Sequence, residues 1–269
     1  MRLFDTHCHF ETQDAAEIAA ILARAKAAGV EKLVAVGGSD ALNRAAETAA
    51  RVSAQRTENS EQRTDAEGSL PSVLTAIGYD REQVEKFHNC SLFTVHCSLR
   101  KSPSAIGEIG LDYHYSPETR AAQMKLFAAQ LEEARKRDLP VVIHTREAAD
   151  DTIGLLKDIP SRGVIHCFTG DPREARAYLD LGFFVSISGI VTFKAAENVR
   201  ETARCIPDDR IVIETDSPFL APVPMRGKPN EPSFLRHTCE FLAKLRGLSP
   251  DAFADLTFAN AERLFAPVA

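Results

Sequence analysis

The chain has 269 residues, 44% of them hydrophobic and 26% charged, with a formal net charge of −6. That length suits one α/β barrel of about 250 residues, and no apolar run approaches the roughly 20 residues a membrane-spanning helix needs. The negative balance argues against broad electrostatic capture of nucleic acid but not against a phosphate-bearing substrate, because bound divalent ions reverse the local charge.

Short β-branched or apolar runs alternate with longer helical patterns, the mark of repeated βα units and a parallel sheet. The first run, residues 3–4, leads into Asp5-Thr6-His7-Cys8-His9. A helical pattern over 14–28 carries an Ala/Ile/Leu stripe and stops at Gly29. After a second run at 32–36, residues 54–72 are polar and nearly free of large apolar side chains, which predicts a mobile surface loop. The third run is 73–77, and residues 87–104 show no clear period, so an irregular insertion is expected within 53–104. The fourth run, 105–109, precedes the clearest helix, 117–137, with Met124, Phe127, Leu131 and Ala134 on one face. Runs at 141–144 and 164–166 follow. Asp171 is then placed to cap a helix over 172–181 that Gly182 ends. Runs at 183–187 and 211–214 complete eight, which predicts a single-domain (β/α)8 TIM barrel over residues 1–269.

Residues two apart on a strand share a face, so His7 and His9 can direct both imidazoles at one point. Asp5 is placed to accept a hydrogen bond from a ligand imidazole or to orient water. Glu108 lies between glycines in Gly107-Glu108-Ile109-Gly110, inside an apolar strand where a carboxylate is costly unless paired or metal-bound. Its two oxygens make it the candidate to bridge two cations. His144, His166 and Asp216 each follow an apolar run as well. All six sit at the C-terminal ends of their strands, where barrel enzymes carry their chemistry. A His/carboxylate set without thiolate suits zinc, manganese or magnesium, with two ions per chain expected. Such ions lower the pKa of water toward about 7, and a pair of them clamps a phosphoryl group. Asp216 is the candidate general base, with Glu108 beside it. Taken alone, the residues specify a metal-dependent hydrolase.

Several stretches resemble the TatD family of metal-dependent deoxyribonucleases, barrels of the amidohydrolase superfamily. They are Phe4-Asp5-Thr6-His7-Cys8-His9, residues 105–113 (AIGEIGLDY), 140–146 (PVVIHTR), 163–170 (GVIHCFTG), 186–193 (SISGIVTF), 213–224 (IETDSPFLAPVP) and 226–232 (RGKPNEP). The resemblance covers nearly the whole chain apart from roughly 53–104. By position it implies metal ligation by His7, His9, Glu108, His144, His166 and Asp216. It further implies cleavage of DNA phosphodiesters from the 3′ end, with single strands or ends of DNA as substrate. One position departs from the pattern. The family's Gly-x-His-Pro motif ending the third strand reads Gly78-Tyr79-Asp80-Arg81 here, an acid where a substrate-facing histidine is expected.

Arg226, Lys228 and Asn230 lie in a Pro/Gly-rich loop after the eighth run, and the family pattern places Arg226 and Asn230 at the substrate. His114, just past the Glu108 strand, could line the pocket. Hydrolysis of another phosphoester, ester or amide is the alternative reading, as is a metal-binding protein with reduced turnover. Six scattered cysteines without paired spacing, and a histidine-bearing N-terminus in place of a secretory apolar stretch, lead to the expectation of a reduced cytoplasmic protein with no membrane association. No segment suggests an obligate protein partner.

Overall fold

The computed structural model describes residues 1–60, 69–87 and 103–267. Eight strands pair in parallel and in chain order: β1 (Leu3–Cys8), β2 (Val30–Gly38), β3 (Ser72–Tyr79), β4 (Ala105–Asp112), β5 (Val141–Arg146), β6 (Gly163–Ile165), β7 (Phe184–Ile187) and β8 (Ile211–Ile213). The ring closes just past β8. There the His9 amide donates to the Ser217 carbonyl at 2.8 Å, and the Asp216 amide to the His7 carbonyl at 2.9 Å. Around the sheet run α1 (Ala15–Ala27), α2 (Asp40–Ser60), α3 (Arg120–Arg137), α4 (Ala149–Asp158), α5 (Pro172–Asp180), α6 (Glu197–Cys205), α7 (Leu235–Leu245) and α8 (Pro250–Phe265). This is the (β/α)8 barrel that the alternating runs predict. Among the described residues no helix is long and apolar enough to cross a membrane.

Local chemistry sets the boundaries. Asp14 Oδ1 accepts from the Ala16 and Glu17 amides and starts α1. Asp171 accepts from Glu174 N ahead of Pro172 at the start of α5, and Ser249 from Ala252 N ahead of Pro250 at the start of α8. Gly182, at φ +86°, carries the chain out of α5 where a side chain would be strained. The expected loop over 54–72 is corrected at both ends: α2 continues to Ser60 and β3 starts at Ser72. Ala, Gln, Arg and Glu are strong helix formers whatever their polarity, so low hydrophobicity was a poor guide there. The rest of that stretch, 61–68, lies outside the described residues, as does most of the expected irregular segment (88–102).

At least one apolar side chain from every strand, from Phe4 of β1 to Val212 of β8, joins Phe258, Leu264 and Phe265 of α8 in a single buried layer. The Phe4 ring lies 5.7 Å from Phe258 and 5.9 Å from Phe265, so α8 plugs the N-terminal end of the barrel. Each valine, leucine or phenylalanine of this layer contributes about 1.5–3 kcal/mol of burial. With that end sealed, the polar side chains at the opposite, C-terminal ends of the strands have one open mouth.

Candidate metal centre

The six sequence-selected residues meet at that mouth. His7 and His9 come from the end of β1, where the register with β2 is irregular between Asp5 and Cys8. Their Nε2 atoms lie 3.0 Å apart. Glu108, from β4, is buried and its oxygens divide between two groups. Oε2 faces His7 Nε2 at 3.6 Å and His9 Nε2 at 3.4 Å, while Oε1 faces His144 Nδ1 and His166 Nε2 at 3.3 Å each. Asp216 Oδ1 lies 3.7 Å from His7 Nε2 and 3.8 Å from His9 Nε2. Asp216 also has φ 55°, a left-handed conformation uncommon outside glycine that is held by the barrel-closing hydrogen bond of its own amide. The His7 and His166 rings stack at 3.9 Å and tie the two groups together.

A surrounding layer fixes which ring nitrogen faces the centre. His9 Nδ1 lies 3.0 Å from the Val36 carbonyl, which can only accept, so Nδ1 carries the proton and Nε2 presents its lone pair inward. His144 Nε2 lies 3.0 Å from Asp112 Oδ2, which leaves Nδ1 to face Glu108. His166 Nδ1 faces Glu214 Oε1 at 3.4 Å, and that oxygen also accepts from the Cys167 amide at 2.7 Å. Glu214 and Asp112 are the functional residues that the sequence reading missed. Each is an acid ending an apolar strand, the same signal that marked Asp216. Asp5, expected beside an imidazole or water, instead accepts from the Thr215 hydroxyl at 2.6 Å and amide at 2.9 Å, binding β1 to the chain after β8.

Burial raises the Glu108 carboxyl, but the imidazoles of His166, His144 and His9 outweigh it and hold the group well below the usual carboxylate range. Burial pushes Asp216 up to about 6 and keeps His7 well below the ordinary imidazole value. His166 is driven well above it, since Glu108 and Glu214 outweigh its burial. Buried imidazoles and carboxylates at these spacings compensate one another through protons that a divalent ion would displace. His7, His9 and Glu108 have ligand atoms converging closely enough for one ion, and Glu108, His144 and His166 for another. The inward lone pairs of His9 and His144, each fixed by a hydrogen bond from the other ring nitrogen, fit such ions.

Residues 4–266 match the family model described as TatD related DNase. The chain belongs to the TatD family. Among TatD relatives, the Escherichia coli metal-dependent hydrolase YcfH is 47% identical over 164 residues, 60% of this chain and 62% of YcfH. The Rahnella 3′-5′ ssDNA/RNA exonuclease TatD is 42% identical over 173 residues, 60% of this chain and 65% of that protein. The crystal structure of the TatD homologue YjjV from Escherichia coli superposes with a TM-score of 0.80 at 28% identity, covering 99% of both chains. The chain thus spans a little under two thirds of the lengths of YcfH and of the Rahnella exonuclease.

The remaining sequence-selected residues of this TatD chain part company. Arg226 is exposed at the rim, its guanidinium 4.0 Å from the Phe193 ring centre. Asn230, expected at the substrate, is buried. Its amide donates to the Thr215 carbonyl at 2.8 Å and the Phe219 carbonyl at 2.6 Å, so both N–H donors hold the loop after β8 rather than a ligand. His114 turns Nδ1 to Glu147 Oε1 at 2.7 Å, on the exposed side of the rim. Asp80, at the position of the family histidine, accepts from the Glu82 amide at 2.8 Å, and burial with Glu108 nearby lifts it to about 6. Arg81 directs Nε to Asp112 Oδ2 at 3.4 Å.

Proposed function

We propose that the chain is a metal-dependent deoxyribonuclease that cleaves phosphodiester bonds from the 3′ end of single-stranded DNA or DNA ends. The observation that carries this reading is the division of Glu108 between two imidazole groups at a barrel mouth. The name of the Rahnella relative, a 3′-5′ ssDNA/RNA exonuclease, supports the substrate class. His7, His9, Glu108 and Asp216 would hold one divalent ion (magnesium, manganese or zinc), and Glu108, His144 and His166 a second. Bound there, the ions supply an activated water and a counter-charge for the phosphoryl oxygens. The chain's own residues do the rest. Asp216, with Oδ1 3.7 Å from His7 Nε2 and 3.8 Å from His9 Nε2, would stand beside that water to take its proton. Asp112 and Glu214 hold the His144 and His166 rings in orientation. Arg226 at the rim is the phosphate contact.

The test is hydrolysis of a 5′-labelled single-stranded oligonucleotide with magnesium, with manganese and without metal, beside His7→Ala and Asp216→Ala. A metal-dependent ladder of shortened products that both variants lose is the expected result. No cleavage by wild-type protein shown to hold metal overturns the nuclease assignment.

A further inference from the structure

Most large apolar side chains are covered, but Tyr115 is 63% exposed and Phe219 is 54% exposed. Both stand at the rim of the mouth. Tyr115 follows β4, and Phe219 follows β8, four strands away around a closed eight-stranded ring. They therefore occupy opposite walls. Each is tied to the metal centre. The Asp112 carboxylate that holds His144 also accepts the Tyr115 amide at 3.0 Å, and the Phe219 ring sits edge-on to His9 at 6.4 Å. Two guanidiniums flank Tyr115, with Arg146 4.7 Å and Arg81 5.8 Å from the ring centre.

Neither ring packs into the core: Tyr115 meets the two guanidiniums and the His114 ring at 4.8 Å, Phe219 meets His9, and more than half of each side chain is left to solvent. Exposed rings beside cations are the arrangement that unpaired nucleic acid uses: bases stack on the rings while guanidiniums take the backbone charge. A paired base has both faces stacked within the duplex and offers none to a ring. We propose that Tyr115 and Phe219 are base-stacking subsites on either side of the metal centre, so that an unpaired strand is gripped by one base on each side of the phosphate to be cut. Arg146, the exposed one of the two, neutralises the phosphate beside the Tyr115 base. This rests on the nuclease assignment above and extends it to the named residues that grip the single strand.

The test is equilibrium binding of the metal-loaded protein to a dye-labelled thymidine hexamer with phosphorothioate linkages, followed by anisotropy. A hexamer of the same charge in which every sugar lacks its base is the comparison, and the variants are Tyr115→Ala, Tyr115→Phe and Phe219→Ala. Each alanine variant should bind the thymidine hexamer about 5- to 150-fold more weakly, the range set by one lost base stack. Binding of the abasic hexamer should not move, and Tyr115→Phe should bind both like wild type. Variants that leave thymidine binding unchanged, or that weaken both hexamers equally, overturn the stacking subsites while the nuclease assignment stands. A wild-type protein that binds neither hexamer overturns both.

Discussion

Asp112→Asn separates the surrounding layer of the centre from the ligands themselves. In the native protein Asp112 Oδ1 accepts the His114 and Tyr115 amides at 3.0 Å each, while Oδ2 takes His144 Nε2 at 3.0 Å and faces Arg81 Nε at 3.4 Å. Asparagine keeps Oδ1 and so keeps the turn. Its NH2 group then meets the Nε2 proton of His144, donor against donor. The proton moves to Nδ1, and His144 loses the lone pair that faces Glu108. Loss of such an outer partner costs about 10- to 100-fold in metal affinity, or roughly 1.4–2.8 kcal/mol. The assay is competition between the protein and a chromophoric chelator for zinc or manganese, with the melting temperature of the metal-stripped variant as the control on folding. A variant that folds normally and holds metal within about twofold of wild type would refute the tautomer argument.

Three further predictions concern the frame. Asn230→Ala leaves the Thr215 and Phe219 carbonyls without partners in a buried loop, at a cost of about 1–3 kcal/mol; at 2–4 °C per kcal/mol for a chain of this size, melting should fall by roughly 2–12 °C, and an unchanged melting curve would count against the role given to the amide. Gly110→Ala places a Cβ 1.9 Å from the His144 carbonyl at φ +139°, so the variant should be recovered as insoluble protein, and a soluble variant melting like wild type would sink the packing argument. Removing metal with a chelator takes the counter-charge from buried Glu108 and Asp216, so melting should drop and then rise again with added metal in step with its concentration; a melting temperature indifferent to metal speaks against a site in this cluster.

How much of this was legible in the sequence follows from what each signal depends on. The six clustered residues were visible because each is a polar side chain at the end of an apolar run, a contrast that needs no tertiary information. Glu214 gave the same contrast but stood two residues before the stronger candidate Asp216, and nothing local says that its carboxylate turns to His166 and the Cys167 amide. Gln123 and Gln130 show a deeper limit. They lie seven apart on the buried face of α3, where the pattern of Phe127, Leu131 and Ala134 calls for apolar residues. Gln130 instead pairs with both the amide and the carbonyl of Tyr79, and Gln123 with those of Asp112, clamping the ends of β3 and β4. A buried amide is affordable only because an irregular strand end leaves backbone groups unpaired. That condition exists only in the assembled barrel. Asn230, expected at the substrate, turns its amide to the Thr215 and Phe219 carbonyls under the same condition.

The charge distribution gives a last prediction that the net charge of −6 would not suggest. Of the cations placed at the mouth above, Arg146, Arg226 and Lys228 are exposed, and Arg81 is half-buried and already turned to Asp112. A single strand crossing the mouth would meet about three free cations. For single strands the logarithm of affinity falls with the logarithm of salt at about 0.7 per phosphate neutralised, so the slope should be near −2. That is shallow beside the slope of about −10 of a large repressor. Arg226→Ala should flatten it by about 0.7 and weaken binding more than turnover. A slope steeper than about −5 would require a basic track that these cations do not form, and grip would then come from the protein surface at large. A slope near −2 with the thymidine preference intact would instead assign most of the grip to the aromatic rims and to the ions at Glu108. In that case the acidic surface away from the mouth keeps the substrate from binding anywhere else.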